Sequence, residues 1–205
     1  MLYDIYNNII AKEYNARSVD ADGKLRHDAF MCPFCLKIFF DDYKDLRKWA
    51  KRHASHCRFN LSEGINVIDG TTIKDKKVAG FIDRFGRLSK NEQRIDFPMT
   101  DSDSVKKLNQ RVFVYVLDRK PQGMLTIDKR RIQLEKSLTK EFISCTDFYV
   151  IHYVQRQGIG KMLFDSMLNF YKLNPKDLAY CRPTQATLNF LKKWYDINVK
   201  DIVCW

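Results

Sequence analysis

Three observations predict a mixed α/β layer fold, a mainly antiparallel central sheet flanked by helices, with a small Cys/His unit ahead of it. Runs rich in β-branched and aromatic residues crowd together between 111 and 151, as antiparallel strands do. From there to residue 205 the pattern alternates strand, helix, strand, helix, strand. Upstream, Cys32, Cys35, His53 and Cys57 are packed into one short segment. The chain has 205 residues, 45% of them hydrophobic and 13% aromatic, enough for one ordinary domain core plus an appendage and too apolar for general disorder.

Taken in order, residues 3–16 place Tyr3, Ile5, Tyr6, Ile9, Ile10 and Tyr14 at roughly helical spacing, which predicts a short amphipathic helix. VDADGK (19–24) is a turn, and residues 30–58 are a compact Cys/His unit. The basic, Gly-containing stretch that follows, 63–77, is expected to be a connector between an N-terminal unit (1–62) and a second domain (78–205). VAGFIDRFGRLSKNEQRI predicts a helix with an internal Gly, and MTDSDSVKKLN a polar loop or short helical turn. RVFVYVL is a strong strand signal. QGMLTI and RRIQL, separated by the charged DKR step, predict a hairpin pair. EFISCTDFYVI is a further strand, and GKMLFDSMLNFYKL a helix with a broad apolar side. DLAYCR predicts a short strand, TQATLNFLKKWYDI a helix N-capped by Thr184, and VKDIVCW a final strand.

Lys and Arg number 36 against 25 Asp and Glu, a formal charge of +11. That excess admits nucleic acid, an anionic cofactor or an acidic protein surface as partner. The longest apolar runs are strand-sized, so no membrane partner is expected. The opening MLYDIYNNIIAKEYNAR lacks the basic region and apolar stretch of a secretory signal, so the expectation is an intracellular protein.

In that setting the close cysteines predict metal ligands rather than disulfides. Cys32-x2-Cys35 can grip one ion from a tight knuckle, while His53 and Cys57, four apart on a helix, point to one side. Three thiolates and an imidazole favour tetrahedral zinc, in a structural role because four protein ligands leave no open position. His56 is a weaker ligand candidate. Phe39 or Phe40, Leu46 and Trp49 are expected to form the unit's small core. Lys44, Arg47, Lys48, Lys51, Arg52 and Arg58 make its helix basic, which fits either DNA contact or a solvated face.

FYVIHYVQRQGIGKMLFDSML carries the sharpest chemical signal. Gln155, Arg156, Gly158, Gly160 and Lys161 lie between a strand and a helix, where small residues let backbone amides approach an anion and the helix end favours negative charge. Arg156 and Lys161 can strengthen pyrophosphate binding. A dinucleotide fingerprint is not met, because no full βαβ unit with its ribose-binding acid is present.

Two resemblances attach to these residues. CPFCLK with the basic helix and His-x3-Cys resembles part of the zinc finger of MYST-family histone acetyltransferases, with a longer interval before His53 here. The loop resembles the QRxGxG coenzyme-A loop of the GNAT superfamily. FIDRFGRLSKNEQ, NQRVFVYVL, DFYVIHYVQRQGIGKMLFDSML and RPTQATLNFLKKWYDI are, more narrowly, similar to the α-tubulin N-acetyltransferase family over most of residues 78–205. The resemblance implies a GNAT-like acetyltransferase domain, with acetyl-CoA held by Phe148, Tyr149, Val150, Gln155, Arg156, Gly158, Gly160, Lys161, Thr184, Gln185 and Lys193. It also implies Gln93 as a substrate-site residue and Asp147 as the family's strand Asp. The chain departs where the family has Asp before Arg-Pro-Ser, here Cys181 before Arg182, Pro183 and Thr184. It departs again where the family's active-site Cys falls on Ser144, with Cys145 adjacent.

Acetyl transfer to lysine needs a base and oxyanion donors. Cys181, Asp147 and Cys145 are the candidate bases, each with a structural alternative, and His152 beside the loop suggests packing or cofactor contact. The expected function is acetyl-CoA-dependent protein lysine acetylation, by a monomer in the cytoplasm and cytoskeleton acting on tubulin or microtubules. One alternative is a nuclear histone or other nuclear acetyltransferase that contacts nucleic acid. The other is an inactive coenzyme-A-binding interaction module.

Overall fold

The computed structural model describes residues 2–4, 9–11, 29–39, 45–135 and 138–205. The turn expected at 19–24, Phe40 and Lys44 lie outside them. Within them the chain builds two sheets.

The small sheet holds β1 (Leu2–Asp4), β2 (Ile9–Ala11), β3 (Ala29–Met31) and β4 (Ile38–Phe39) in the order β2-β1-β3-β4. In the described part of the stretch 3–16, expected to be helical, the chain forms strands instead; Ile5, Tyr6 and Tyr14 lie outside the described residues. Short apolar runs fit either period, and the β-branched Ile9 and Ile10 favour extended backbone once β1 and β3 supply a ladder. Between β3 and β4 the chain makes a knuckle, in which Cys32 N donates to Lys37 O at 2.9 Å and Leu36 N donates to Cys32 O at 3.0 Å. Helix α1 (Leu46–Ser55) buries Leu46, Ala50 and Ala54, a stripe repeating every four residues. That stripe rotates Trp49, expected in the core, out to solvent at 45% exposure, where Arg52 lies over its ring; Phe39 and Leu46 are buried as expected.

The large sheet runs β10-β9-β8-β7-β6-β5. Its edge strand, β5 (Gly64–Asp69), occupies the stretch expected to be a connector and pairs antiparallel with β6 (Arg111–Leu117). Helix α2 (Lys76–Gln93) is N-capped by Asp75, whose carboxylate accepts from Lys77 N at 2.7 Å. A Cβ on Gly86 would meet the Thr100 carbonyl oxygen at 1.7 Å, so glycine is what lets the following segment cross the helix closely. Helix α3 (Ser102–Lys107) realises the short helical option for that stretch, with Asp101 as its cap.

The predicted hairpin within 122–134 is instead one strand, β7 (Lys120–Glu135), paired antiparallel with β8 (Leu138–Val150). The DKR step has no Gly, Pro or Asn to reverse the chain. Asp128 is buried there and accepts from Arg130 Nε at 2.8 Å, an arrangement a solvent-exposed turn would not provide. Then follow α4 (Ile159–Tyr171), β9 (Ala179–Tyr180), α5 (Gln185–Tyr195), capped by Thr184 as expected, and β10 (Val203–Cys204). β8, β9 and β10 are mutually parallel and the rest of the sheet is antiparallel, the mixed layer the sequence predicts.

Helix α2 covers one face through Phe81 and Phe85, with Phe85 edge-on to Tyr149 at 6.1 Å. Helices α4 and α5 cover the other, where Phe148, Phe164 and Phe190 form a cluster with ring centroids 5.1 to 6.0 Å apart. No described helix is long and apolar enough to cross a membrane.

Candidate active site

β8 and β9 stay together for only one step. Ser144 faces Ala179, Cys145 faces Tyr180, and Cys181 N donates to Cys145 O at 3.0 Å. Beyond that bond the strands part, β8 leading to α4 and β9 to α5. An open cleft with about 820 Å³ of empty space lies there. One wall is Gln93 to Phe97 with Met99, another Cys145 to Phe148, and the third Tyr180 to Thr184 with Thr187. The first wall is the segment that Gly86 allows to cross α2.

A bulge decides which β8 side chains meet the α2 side of this cleft. Thr126 faces Asp147 but the next residue, Ile127, faces Cys145, so Thr146 is an extra residue in β8. Partners across a ladder share a face, which puts Asp147 and Ser144 on the α2 side and Cys145 on the α4/α5 side. Asp147 Oδ1 accepts from Ser89 Oγ at 2.6 Å and from Gln93 Nε2 at 3.2 Å, and Gln93 also donates to Ser89 Oγ at 2.6 Å. Its other oxygen, Oδ2, is buried without a partner. Burial raises the Asp147 pKa, opposed by the hydrogen bonds from Ser89 and Gln93 and by the nearby Thr100 hydroxyl.

The two thiols move the other way relative to neutrality. Burial pushes Cys145 well above its ordinary value, and burial pushes Cys181 up too, with Arg182 and Arg130 opposing. A carboxyl that starts low approaches pH 7 when raised, whereas a thiol that starts near 9 leaves it. Ser144 accepts from Trp205 Nε1 at 2.7 Å and does not line the cleft. Of the five expected catalytic residues, the cleft therefore gathers Gln93, Asp147, Cys145 and Cys181. Ser89 and Thr100, which sequence reasoning did not single out, complete the carboxyl's surroundings. The one available signal for Ser89 was its position four residues before Gln93 on a predicted helix.

The glycine-bearing turn expected to bind an anion lies at the start of α4. Gly158 is its N-cap at φ +86, with no side-chain cap, so the amides of the first turn keep no intrahelical acceptor. Arg156 precedes it in a left-handed conformation. Lys161 pairs with Asp165 and lies 5.7 Å from the centroid of Trp194, while Lys193 lies 5.1 Å from the same ring. The start of α4 and the end of α5 thus bring these two cations to one indole, although 32 positions separate them in the chain. Gln155 Nε2 donates to Val150 O at 2.9 Å, bracing the turn. Phe148 packs on Phe164 and Phe190 and lines the cleft, whereas Tyr149 is buried against Phe85 and does not line it. Thr184 Oγ1 accepts from Thr187 N at 3.3 Å and Gln185 Nε2 donates to Asn189 Oδ1 at 2.9 Å, at the opposite end of α5 from Lys193. The diverging strands, the uncapped helix start and the clustered cations suit an elongated phosphorylated thioester. His152 sits 3.2 Å from Glu92 on α2, a packing position.

The ligand atoms of Cys32, Cys35, His53 and Cys57 all lie within 4.8 Å of one another, and Cys35 Sγ is 3.3 Å from His53 Nε2. Two sulfurs on a tetrahedral zinc sit about 3.8 Å apart, so the donor set fits that ion. Hydrogen bonding from Cys32, then from His53, lowers the Cys35 pKa, while the same Cys32–Cys35 hydrogen bond raises that of Cys32 and burial raises that of Cys57. His56 turns away, with Nδ1 2.9 Å from Arg52 O. The unit is joined to α2 by Arg84 Nε, which donates to Cys35 O at 2.7 Å, and by the stacked Phe59 and Phe81 rings, 4.9 Å apart.

Comparison with known proteins bears on this geometry. The family described as GNAT acetyltransferase, Mec-17 matches residues 44–202. The α-tubulin N-acetyltransferase of Tetrahymena thermophila is 30% identical over 128 residues, covering 60% of this chain and 32% of its own. α-Tubulin N-acetyltransferase 1 of Danio rerio is 29% identical over 158 residues, covering 66% and 52%. The chain thus spans between about a third and a half of these relatives. The solved xEco2 acetyltransferase domain superposes with a TM-score of 0.54 at 14% identity, over 71% of this chain and 92% of that domain, a likeness of fold.

Proposed function

The chain belongs to the GNAT acetyltransferase, Mec-17 family, and from that premise we propose that it transfers an acetyl group from acetyl-CoA to a protein lysine, with α-tubulin the preferred acceptor. The observation that carries the chemistry is the cleft between β8 and β9, with the unpartnered Asp147 oxygen on one wall and the uncapped start of α4 beyond it. The α-tubulin N-acetyltransferases among its relatives support the acceptor.

Acetyl-CoA supplies an already activated thioester, so positioning and proton removal are the tasks left to the protein. The amides opening α4, with Arg156, Lys161 and Lys193, hold the phosphates; Lys161 exchanges its Asp165 partner for them. Phe148, Tyr149, Val150, Gln155, Thr184 and Gln185 shape the passage between the strands. Asp147 Oδ2 takes the proton from the incoming lysine ammonium, directly or through water, while Ser89 and Gln93 hold Oδ1 and fix the carboxyl's direction. Backbone amides on the free edge of β8 donate to the acetyl carbonyl oxygen. The Nζ–acetyl bond forms as the carbon–sulfur bond breaks; the second amine proton passes to the departing thiolate, and the proton taken by Asp147 is released to water. Cys181 and Cys145 serve as cleft wall. Cys32, Cys35, His53 and Cys57 hold a structural zinc ion.

A nuclear acceptor such as a histone is the second reading, favoured by one observation: Lys48, Lys51 and Arg52 are exposed on α1 of the Cys/His unit. Offering assembled microtubules, free tubulin and nucleosomes with acetyl-CoA, then locating acetyl-lysine by mass spectrometry, separates the readings. Tubulin labelling lost in Asp147→Asn is expected. Nucleosome labelling alone replaces the acceptor, and no labelling of any of them removes the enzymatic proposal in favour of a coenzyme-binding module.

A further inference from the structure

Trp205 is held more firmly than an exposed aromatic needs to be. Its backbone N donates to Tyr180 O and its carbonyl accepts from Arg182 N, both at 3.2 Å, which ties it to the end of β9 beside Cys181. Its indole Nε1 donates to Ser144 Oγ on β8 at 2.7 Å. The Arg130 guanidinium lies 4.5 Å from the ring centroid, and Arg130 is fixed in turn by the buried Asp128, which also accepts from Gln110 Nε2 at 3.2 Å. The ladder pairs Asp128 with Ser144 and Ser144 with Ala179. The indole therefore reaches from β10 across the small Ala179 to β8, on the face that carries Asp147. Side-chain alternation places Cys181 on that face as well. With three strands contributing to its seat, Trp205 still leaves 36% of its surface to solvent.

We propose that Trp205 is an acceptor-binding residue, a rigid shelf for an apolar side chain that flanks the lysine to be acetylated. The inference rests on the acetyltransferase reading and adds a specificity determinant to it. Neighbouring strands lie about 4.8 Å apart and an extended peptide advances about 3.3 Å per residue, so a lysine reaching Asp147 past Cys181 sets its neighbours within two positions over the indole. A rigid aromatic loses little conformational freedom on contact, which makes it an effective anchor. Asp128 and Arg130 act through the indole as positioning residues.

The test uses the full chain, acetyl-CoA and blocked peptides with one central lysine and two randomised residues on each side, with products sequenced by mass spectrometry. Parent protein is expected to enrich an apolar residue within two positions of the lysine. Trp205→Ala is expected to lose that enrichment and raise the acceptor KM about tenfold while kcat and acetyl-CoA affinity stay within twofold, and Trp205→Phe to restore most of it. The same KM comparison on free tubulin covers an acceptor recognised only when folded. Trp205→Ala keeping both the parent's enrichment and its KM, Trp205→Phe recovering neither, or a parent with no flanking preference, overturns the shelf. Failure of the parent to acetylate peptides, tubulin or nucleosomes overturns the acetyltransferase reading and the shelf with it.

Discussion

Replacing Ser89 with Ala isolates the contact that tunes the proposed base. Ser89 Oγ donates to Asp147 Oδ1 at 2.6 Å inside the fold, and a buried hydrogen bond to a charged acceptor contributes about 1.5–3 kcal/mol. That bond favours the ionised form, so losing the donor raises the Asp147 pKa. The loss lies at the lower end of that energy range, because Gln93 Nε2, released from Ser89, can shorten its own 3.2 Å bond to the same oxygen. The direction follows from the charge state: burial already disfavours the carboxylate, and the Ser89 bond opposes burial. A base must be ionised to accept a proton, so the acid limb of the kcat/KM profile moves to higher pH while its plateau largely survives. The assay is lysine acetylation at saturating acetyl-CoA across pH, with Asp147→Asn as the variant that loses the limb. An acid limb that stays in place or moves down in Ser89→Ala refutes Asp147 as the base, whatever happens to the plateau.

Four further outcomes are expected. A carboxyl whose folded pKa is raised contributes stability that is complete below its unfolded value, about 3.9, and lost as pH rises through the folded value; Asp147→Asn removes that loss. Calorimetry should therefore find the variant's Tm above the parent's at neutral pH and equal to it near pH 4, with an equal or lower Tm at pH 7 counting against the burial argument. Gly86→Ala drives a Cβ into the Thr100 carbonyl and should cost about 1–3 kcal/mol in denaturant unfolding while raising the acceptor KM; wild-type stability would show that the crossing segment gives way freely. Cys57→Ser should release zinc, read by elemental analysis against one equivalent in the parent, and unchanged metal content would exclude Cys57 as a ligand. Arg156→Ala should weaken acetyl-CoA binding about tenfold in calorimetry, and less at high salt, if its guanidinium meets phosphate.

Local chemistry made much of the second half of the chain legible. RVFVYVL, the apolar stripe after the QRQGIGK turn and the Thr184 cap each form what their residues favour, because propensity, period and packing agree at those places. The failures have a common origin in partners that periodicity does not contain. Residues 3–16 fit a helical spacing, but two strands form where β3 offers a ladder. The charged DKR step looked like a turn because Asp128 and Arg130 are expected at the surface, yet they neutralise each other below the indole of Trp205. Gly64–Asp69 holds only the short apolar set Ile65, Val67 and Ile68 between polar flanks, and becomes a strand by pairing with β6.

The chain by itself determined which groups are available: three thiols and an imidazole at metal-binding spacing, a glycine-bearing turn between strand and helix with cations beside it, and a carboxylate in a hydrophobic strand. Those are properties of neighbours in sequence, and backbone geometry carries them into space almost unchanged. Tertiary structure alone decided which of them work together. One extra residue in β8 turned Asp147 toward Ser89 and Gln93 and left Cys145 on the other face. The parting of β8 from β9 made the cleft, and strands distant in sequence seated Trp205 against Ser144. The reason is that side-chain facing alternates every residue along a strand, so a single bulge or one lost pairing reassigns every role beyond it.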